Sequence, residues 1–241
     1  MNVTYIAHSG FILETETAYF LFDYYTGKIP AMNAEKDIVV FVSHSHSDHY
    51  NPAIWELQMT YPNVHYVLWK RILTNKHAEE LHTKGIDTER NVTLVRRNLE
   101  YTITLSDGNM LGIETLASTD QGVAYLLNYK KQTFYHAGDL NCWMWEGETK
   151  QYNNNMKANY LREMTKLNDK RIDVAFVPLD TRQHQYAYLG LELFLEHAQC
   201  NCVFPMHFWE DFSIIPAFIK DHPAYADAIM PVTRNGQTFY M

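Results

Sequence analysis

Three histidines and one aspartate crowd into the seven residues Ser43-His44-Ser45-His46-Ser47-Asp48-His49. Neutral imidazoles and ionised carboxylates are the side chains that hold zinc and similar divalent ions. In an extended backbone His44, His46 and Asp48 project to one side while His49 turns away, so one short loop can serve two neighbouring ions. An ion held in this way lowers the pKa of bound water from 15.7 to about 7 and polarises the carbonyl or phosphoryl oxygen under attack. Water is then the nucleophile and neither a serine nor a cysteine nucleophile is needed. Asp48 would orient the water or carry its proton, and Ser43, Ser45 and Ser47 read as loop residues bonded to backbone.

Such a loop needs rigid neighbours. Asp37-Ile38-Val39-Val40-Phe41-Val42 is an unbroken apolar run, the pattern of a strand buried on both faces, and it ends where the histidines begin. On the other side, Asn51-Pro52 supplies a helix cap with proline at the first helical position, which predicts a helix over 53–59. Before the motif, 3–7, 11–15 and 18–22 read as a β-meander. After it come strands at 64–68, 92–95, 101–105, 110–116, 123–129 and 133–136, with Asp107-Gly108 as a hairpin turn. Met156, Tyr160, Leu161, Met164 and Leu167 recur at helical spacing, and a helix near 190–199 lies between strands at 174–177 and 202–204. Strand-rich segments with helices after and between them predict an α/β fold, two sheets face to face with helices outside.

The 241 residues, 46% of them hydrophobic, suffice for one domain spanning 1–241. The apolar runs are far shorter than a membrane span, and the N-terminal residues carry no export signal pattern. With three cysteines, Cys142, Cys200 and Cys202, a disulfide framework is not expected and a cytoplasmic location is. The net charge of −8 argues against a nucleic-acid partner. A small-molecule substrate is expected, and a homo-oligomer is compatible with the composition.

The run His44-x-His46-x-Asp48-His49 resembles the HxHxDH signature of the metallo-β-lactamase superfamily, and further pieces match in order. Asp23 in Leu21-Phe22-Asp23 resembles the family's structural aspartate. Asp139 in Tyr135-His136-Ala137-Gly138-Asp139 resembles the bridging carboxylate, and His207 in Phe204-Pro205-Met206-His207 the last histidine ligand. Ile6-Ala7-His8-Ser9-Gly10 and Pro178-Leu179-Asp180-Thr181-Arg182 are similar to segments of the branch that includes L-ascorbate-6-phosphate lactonase. The resemblance implies an αβ/βα four-layer sandwich and a hydrolase cleaving a small ester, lactone or phosphoester with metal-bound hydroxide, with lactone or carboxyl ester ahead of phosphodiester. It implies one or two zinc ions, with manganese or iron as alternatives, and a ligand set of His44, His46, Asp48, His49, Asp139 and His207, of which His44, His46 and Asp48 are also catalytic.

One departure stands out. The family adds a third histidine to the first metal position, but this chain reads Leu116-Ala117-Ser118-Thr119-Asp120-Gln121-Gly122 there. Asp120 reads either as a substitute ligand or as a turn residue, and His136 as a residue behind the ligands or in the core. His8, His184, Trp143 and Trp209 read either as substrate-pocket residues or as packing and surface. Trp145 shares that ambiguity, and Cys200 and Cys202 read as buried strand residues. The rival reading of the whole site is a mononuclear iron oxygenase or a non-catalytic metal-binding module; His46, where the family's di-iron members have an acidic residue, counts against redox chemistry.

Overall fold

The computed structural model describes residues 1–89 and 91–241. A first sheet is laid down by β1 (Asn2–Ala7), β2 (Gly10–Glu14), β3 (Ala18–Phe22), β4 (Asp37–Val42), β5 (Val64–Trp69) and β6 (Val92–Val95). A second begins with β7 (Glu100–Thr104), β8 (Met110–Ala117), β9 (Val123–Tyr129) and β10 (Gln132–His136). Past β11 (Arg171–Ile172), which pairs with β13 (Gln199–Cys200), that sheet adds β12 (Val174–Pro178) and β14 (Val203–Met206). The last strand, β15 (Gln237–Tyr240), returns to the first sheet beside β1. Spatial order is β15-β1-β2-β3-β4-β5-β6 in one sheet and β14-β12-β10-β9-β8-β7 in the other.

Both sheets are mixed. Antiparallel pairing gives way to parallel ladders over β3-β4-β5-β6 and over β10-β12-β14. Every residue of β4 is buried, which is why its sequence shows no polar alternation. Between the sheets lies an aromatic layer: Phe11 meets Phe176 at 4.4 Å, Phe41 meets Tyr125 at 5.1 Å, and Phe20 meets Phe134 at 5.8 Å. Each ring fully removed from water contributes roughly 1.5–3 kcal/mol. Polar tips are used as fasteners, since the Tyr125 hydroxyl of β9 reaches the carbonyls of Val42 and Val67 in the facing sheet.

Among the described residues, five α-helices complete the fold: α1 (Leu57–Thr60), α2 (Asn75–Thr83), α3 (Lys150–Met164), α4 (Leu189–His197) and α5 (Ile214–Asp221). Tyr160 of α3 donates to the Gly190 carbonyl of α4, and α4 packs on β12. None is long and apolar enough to cross a membrane. The helix expected over 53–59 is a 3-10 turn, Pro52–Glu56, running into α1. Asn51 caps it as read, but the chain is extended again by Tyr61, on its way into β5. Helix α3 starts earlier than its apolar spacing suggests, because Thr149 accepts from the Tyr152 N–H and sets the start by capping.

Two glycines decide how closely the sheets approach at one end. A Cβ on Gly122, whose φ is +78°, would meet the Ser43 carbonyl oxygen at 2.0 Å; one on Gly138 would meet the Ser43 Cβ at 2.6 Å. Ser43 heads the histidine loop, so these contacts press the loop against the start of β9 and the turn that follows β10. Gly122→Ala is expected to destabilise the fold by about 3 kcal/mol or more, combining a left-handed backbone penalty with a backbone clash. Gly108→Ala shares a φ of +78° but has open space around it, and should cost only about 1 kcal/mol. Chemical denaturation of both variants checks the difference; equal losses would mean the contact at Ser43 does not matter.

Candidate metal centre

The chemistry-bearing side chains all follow the C-terminal ends of strands. His8 follows β1, Asp23 follows β3, Ser43 and His44 follow β4, Asp139 lies three residues past β10, Asp180 lies two past β12, and His207 follows β14. Crevices at the carboxyl ends of parallel strands are where such sheets bind ligands. Beyond His46 the loop is not extended. The backbone N–H groups of His49 and Tyr50 both donate to the His46 carbonyl, and this turn corrects the alternation expected from spacing: Asp48 swings away from His44 and His46 and joins His49.

Two clusters result. His44, His46 and Asp139 form one; His8, Asp48, His49 and His207 form the other, with the donor atoms of each within 4.8 Å of one another. Asp139 lies between them, its Oδ2 3.2 Å from His44 Nε2 and its Oδ1 3.0 Å from His49 Nε2 and 3.4 Å from His207 Nε2. His46 Nδ1 is farther, at 4.0 Å, and its side chain is half exposed.

The far sides of the imidazoles are fixed. His49 Nδ1 donates to Asp23 Oδ2 at 2.8 Å, and His207 Nδ1 donates to Asp180 Oδ2 at 2.9 Å. The Ser43 hydroxyl donates to Asp23 at 2.6 Å, so its oxygen accepts from His44 Nδ1 at 2.9 Å. Each bond places a proton on Nδ1 and turns Nε2 inward, the arrangement that orients metal-bound histidines. On the inward side, His8 Nε2, His49 Nε2, His207 Nε2 and Asp139 Oδ1 are buried with no hydrogen-bond partner. Unpaired buried polar atoms are costly, and so many facing one point fit a divalent cation taking nitrogen and oxygen donors.

Electrostatics agrees. Burial pushes the Asp139 carboxyl up, yet His49, His44 and His207 hold it well below the ordinary carboxylate range. Asp180 is buried too, but its bonds from His207 and Arg182 hold it at about 2. Burial pushes His8 down to about 4 against the opposing pull of Asp48, so its imidazole is neutral at pH 7.

A cavity of about 340 Å³ opens over the clusters, lined by His46, Asp48, Asp139 and His207, by Thr119 and Asp120, by Trp143, Trp145, Tyr152 and Met156, and by Arg182. Asp120 stands at its rim, half exposed, 4.0 Å from His46 Nδ1 and outside either cluster, while its backbone N–H donates to Ser118 Oγ. Trp143 lines the cavity and donates to the Asp139 carbonyl. Trp209 does not line it; it lies in an adjoining pocket with His8 and carries the Arg182 guanidinium 4.7 Å above its ring.

His184 is exposed and lies outside the cavity, because the chain turns there through φ 49°, ψ −116°. His136 cannot ligate as placed: Nδ1 accepts from the Gly138 N–H and Nε2 donates to the Ser9 carbonyl. It instead shapes the turn that presents Asp139. Sequence reasoning gives Ser43 a different partner and passes over Asp180 and Arg182 as individuals. The loop pattern predicts a bond from Ser43 to backbone, whereas its hydroxyl links Asp23 to His44. Asp180 and Arg182 sat within a quoted segment, but only the fold shows one behind His207 and the other in the cavity wall.

A family model described as a beta-lactamase superfamily domain matches residues 2–155, which includes the histidine loop and Asp139 but neither Asp180 nor His207. A protein of Opitutus terrae named as a metal-dependent hydrolase is 30% identical over 149 residues, 58% of this chain; the chain spans 63% of that relative's length. Among solved structures, a metallo hydrolase of the archaeon Ignicoccus hospitalis matches with TM-score 0.63 at 18% identity, over 100% of this chain and 98% of its own. CmlA, a diiron beta-hydroxylase from Streptomyces venezuelae, matches with TM-score 0.60 at 9% identity, over 100% of this chain and 54% of its own. At these identities both show the shared fold, and a hydrolase and a hydroxylase built on it show that this fold does not fix the reaction.

Asp23→Asn and Asp180→Asn keep shape but remove the charge behind His49 and His207. Each is expected to weaken divalent-ion binding by about 10–100-fold, measured by competition with a coloured chelator. Wild-type affinity in both variants would contradict the role given to these carboxylates.

Proposed function

This chain belongs to the beta-lactamase superfamily, and we propose that it is a metal-dependent hydrolase that uses water to cleave a small ester, lactone or phosphoester. The observation that carries the reading is the set of buried, unpartnered Nε2 and Oδ1 atoms facing one point, with His49 and His207 each backed by a carboxylate. In this reading His44, His46 and Asp139 hold a first ion, while Asp48, His49, His207 and the shared Asp139 hold a second. Zinc, manganese and iron all accept such donors. A divalent ion bound here supplies hydroxide near neutral pH and polarises the oxygen of the scissile group.

The rest is done by side chains. Asp48 is partly exposed at the cavity wall, and although burial pushes its carboxyl up, His8 and His49 hold it well below the ordinary range, so it stays ionised to orient water and accept its proton. Trp143, Trp145, Tyr152 and Met156 form an apolar wall that packs the body of the substrate and thins the water around it. Arg182 is held by Asp180 and Trp209 and presents positive charge toward oxygen atoms of the substrate. The cavity volume suits a small ring or short acyl chain better than a polymer. Lactone or carboxyl-ester cleavage ranks ahead of phosphodiester cleavage on family resemblance, in one domain over 1–241. The free thiols of Cys142, Cys200 and Cys202 suit a reducing compartment such as the cytoplasm.

Turnover is expected on at least one member of a panel of lactones, carboxyl esters, thioesters and phosphodiesters supplied with zinc or manganese. It should fall about 100-fold or more in Asp139→Ala and vanish with a chelator. No turnover on any member with either metal would overturn the hydrolase reading. Elemental analysis of protein purified without added metal addresses the rival chemistry, since iron as the sole stoichiometric metal would favour the oxygenase.

A further inference from the structure

The metal positions as families of this kind define them leave His8 unused, and three features mark it as more than packing. Its ring is almost fully buried, yet Nε2 has no hydrogen-bond partner, a property it shares with His49 Nε2 and His207 Nε2. A histidine that merely packs spends its nitrogens on the fold, as His136 does with the Gly138 N–H and the Ser9 carbonyl. The position of His8 is also built. Its backbone adopts φ 56°, and its carbonyl accepts the His207 N–H, which staples the end of β1 to the end of β14 and holds the two rings 4.2 Å apart.

The distances complete the case. Asp48 Oδ2 lies 3.5 Å from His8 Nε2 and 3.9 Å from both His49 Nε2 and His207 Nε2. Donors bound tetrahedrally at about 2.0–2.2 Å from one ion stand roughly 3.4 Å from one another, so the three distances from Asp48 approach those of a coordination shell, and all four donors lie within 4.8 Å of one another. We propose that His8 is a third imidazole ligand of the second metal position, which therefore holds its ion independently of the first. The proposal rests on the metal-dependent reading given above. It also accounts for the missing histidine in the segment from Leu116 to Gly122: the imidazole absent from the first position is matched by one gained at the second. One tightly held ion and one loosely held ion per chain follow.

X-ray absorption at the zinc edge, on protein carrying a single equivalent of zinc, tests this without any variant. Three imidazoles around the zinc are expected; two, the number either position offers without His8, would overturn the proposal. His8→Asn is the matching substitution, because asparagine tolerates the left-handed backbone there but is too short to reach the ion. It should lower the count to two and weaken binding of that first equivalent about 10-fold or more, while His184→Asn, exposed and outside the cavity, leaves both unchanged. Should His8→Asn fail to fold, as judged by thermal unfolding of metal-free protein, the wild-type count still decides. Zinc that is not retained at all by the wild-type protein would instead overturn the metal-dependent reading itself, a different result from zinc retained by two imidazoles.

Discussion

A carboxylate buried among imidazoles is the constraint on which this structure turns. Asp139 is 4% exposed, and its oxygens lie within 3.4 Å of the inward nitrogens of His44, His49 and His207. Removing an ionised group from water costs several kcal/mol unless its surroundings replace the lost hydration. Here the outer nitrogens are already committed to Asp23, Ser43 and Asp180, so the inner ones turn toward the carboxylate, and although burial pushes His49 down, Asp139 and Asp23 hold it well above the ordinary imidazole range. Only positive charge at the centre satisfies both sides at once.

That arrangement explains features which otherwise look unrelated. Strands β1, β3, β4, β10, β12 and β14 each deliver at least one component from the C-terminal end, so the parallel ladders set the geometry and the loops merely finish it. Ser43 is gripped by close approach of Gly122 and Gly138 and by its bonds to Asp23. Asp23, itself buried with a φ of 38°, braces His49 directly and His44 through Ser43. The interface between the sheets carries no such tension, being aromatic and well packed, and it supplies the stability against which the polar end is held in place.

Much of this could be read from residue order. The run from Asp37 to Val42 declared a buried strand ending at the histidine loop, and the meander and central strands showed their β-branched and aromatic residues. Helix α2 was invisible because Leu81 is the only residue of it that is buried, leaving no apolar stripe to detect. Helix α5 hides behind Pro216, which reads as a breaker but sits within its first turn, where proline is tolerated. The closing strand β15 alternates weakly at an edge, and its pairing with β1 joins the two ends of the chain, a contact that no local pattern encodes. At the site, spacing alone assigned Asp48 to the same side as His44 and His46, because it could not anticipate the turn at the His46 carbonyl. His8, Asp180 and Arg182 acquire their roles only when strand ends distant in sequence meet.

The most direct measurement is an anomalous-scattering map from crystals grown with zinc. The account places the strongest peak within about 2.2 Å of Asp139, His49 and His207 donors, the normal reach of a zinc bond. A map with no peak there, or with its peak on an unrelated surface, would contradict the claim that this polar cluster is organised around a cation.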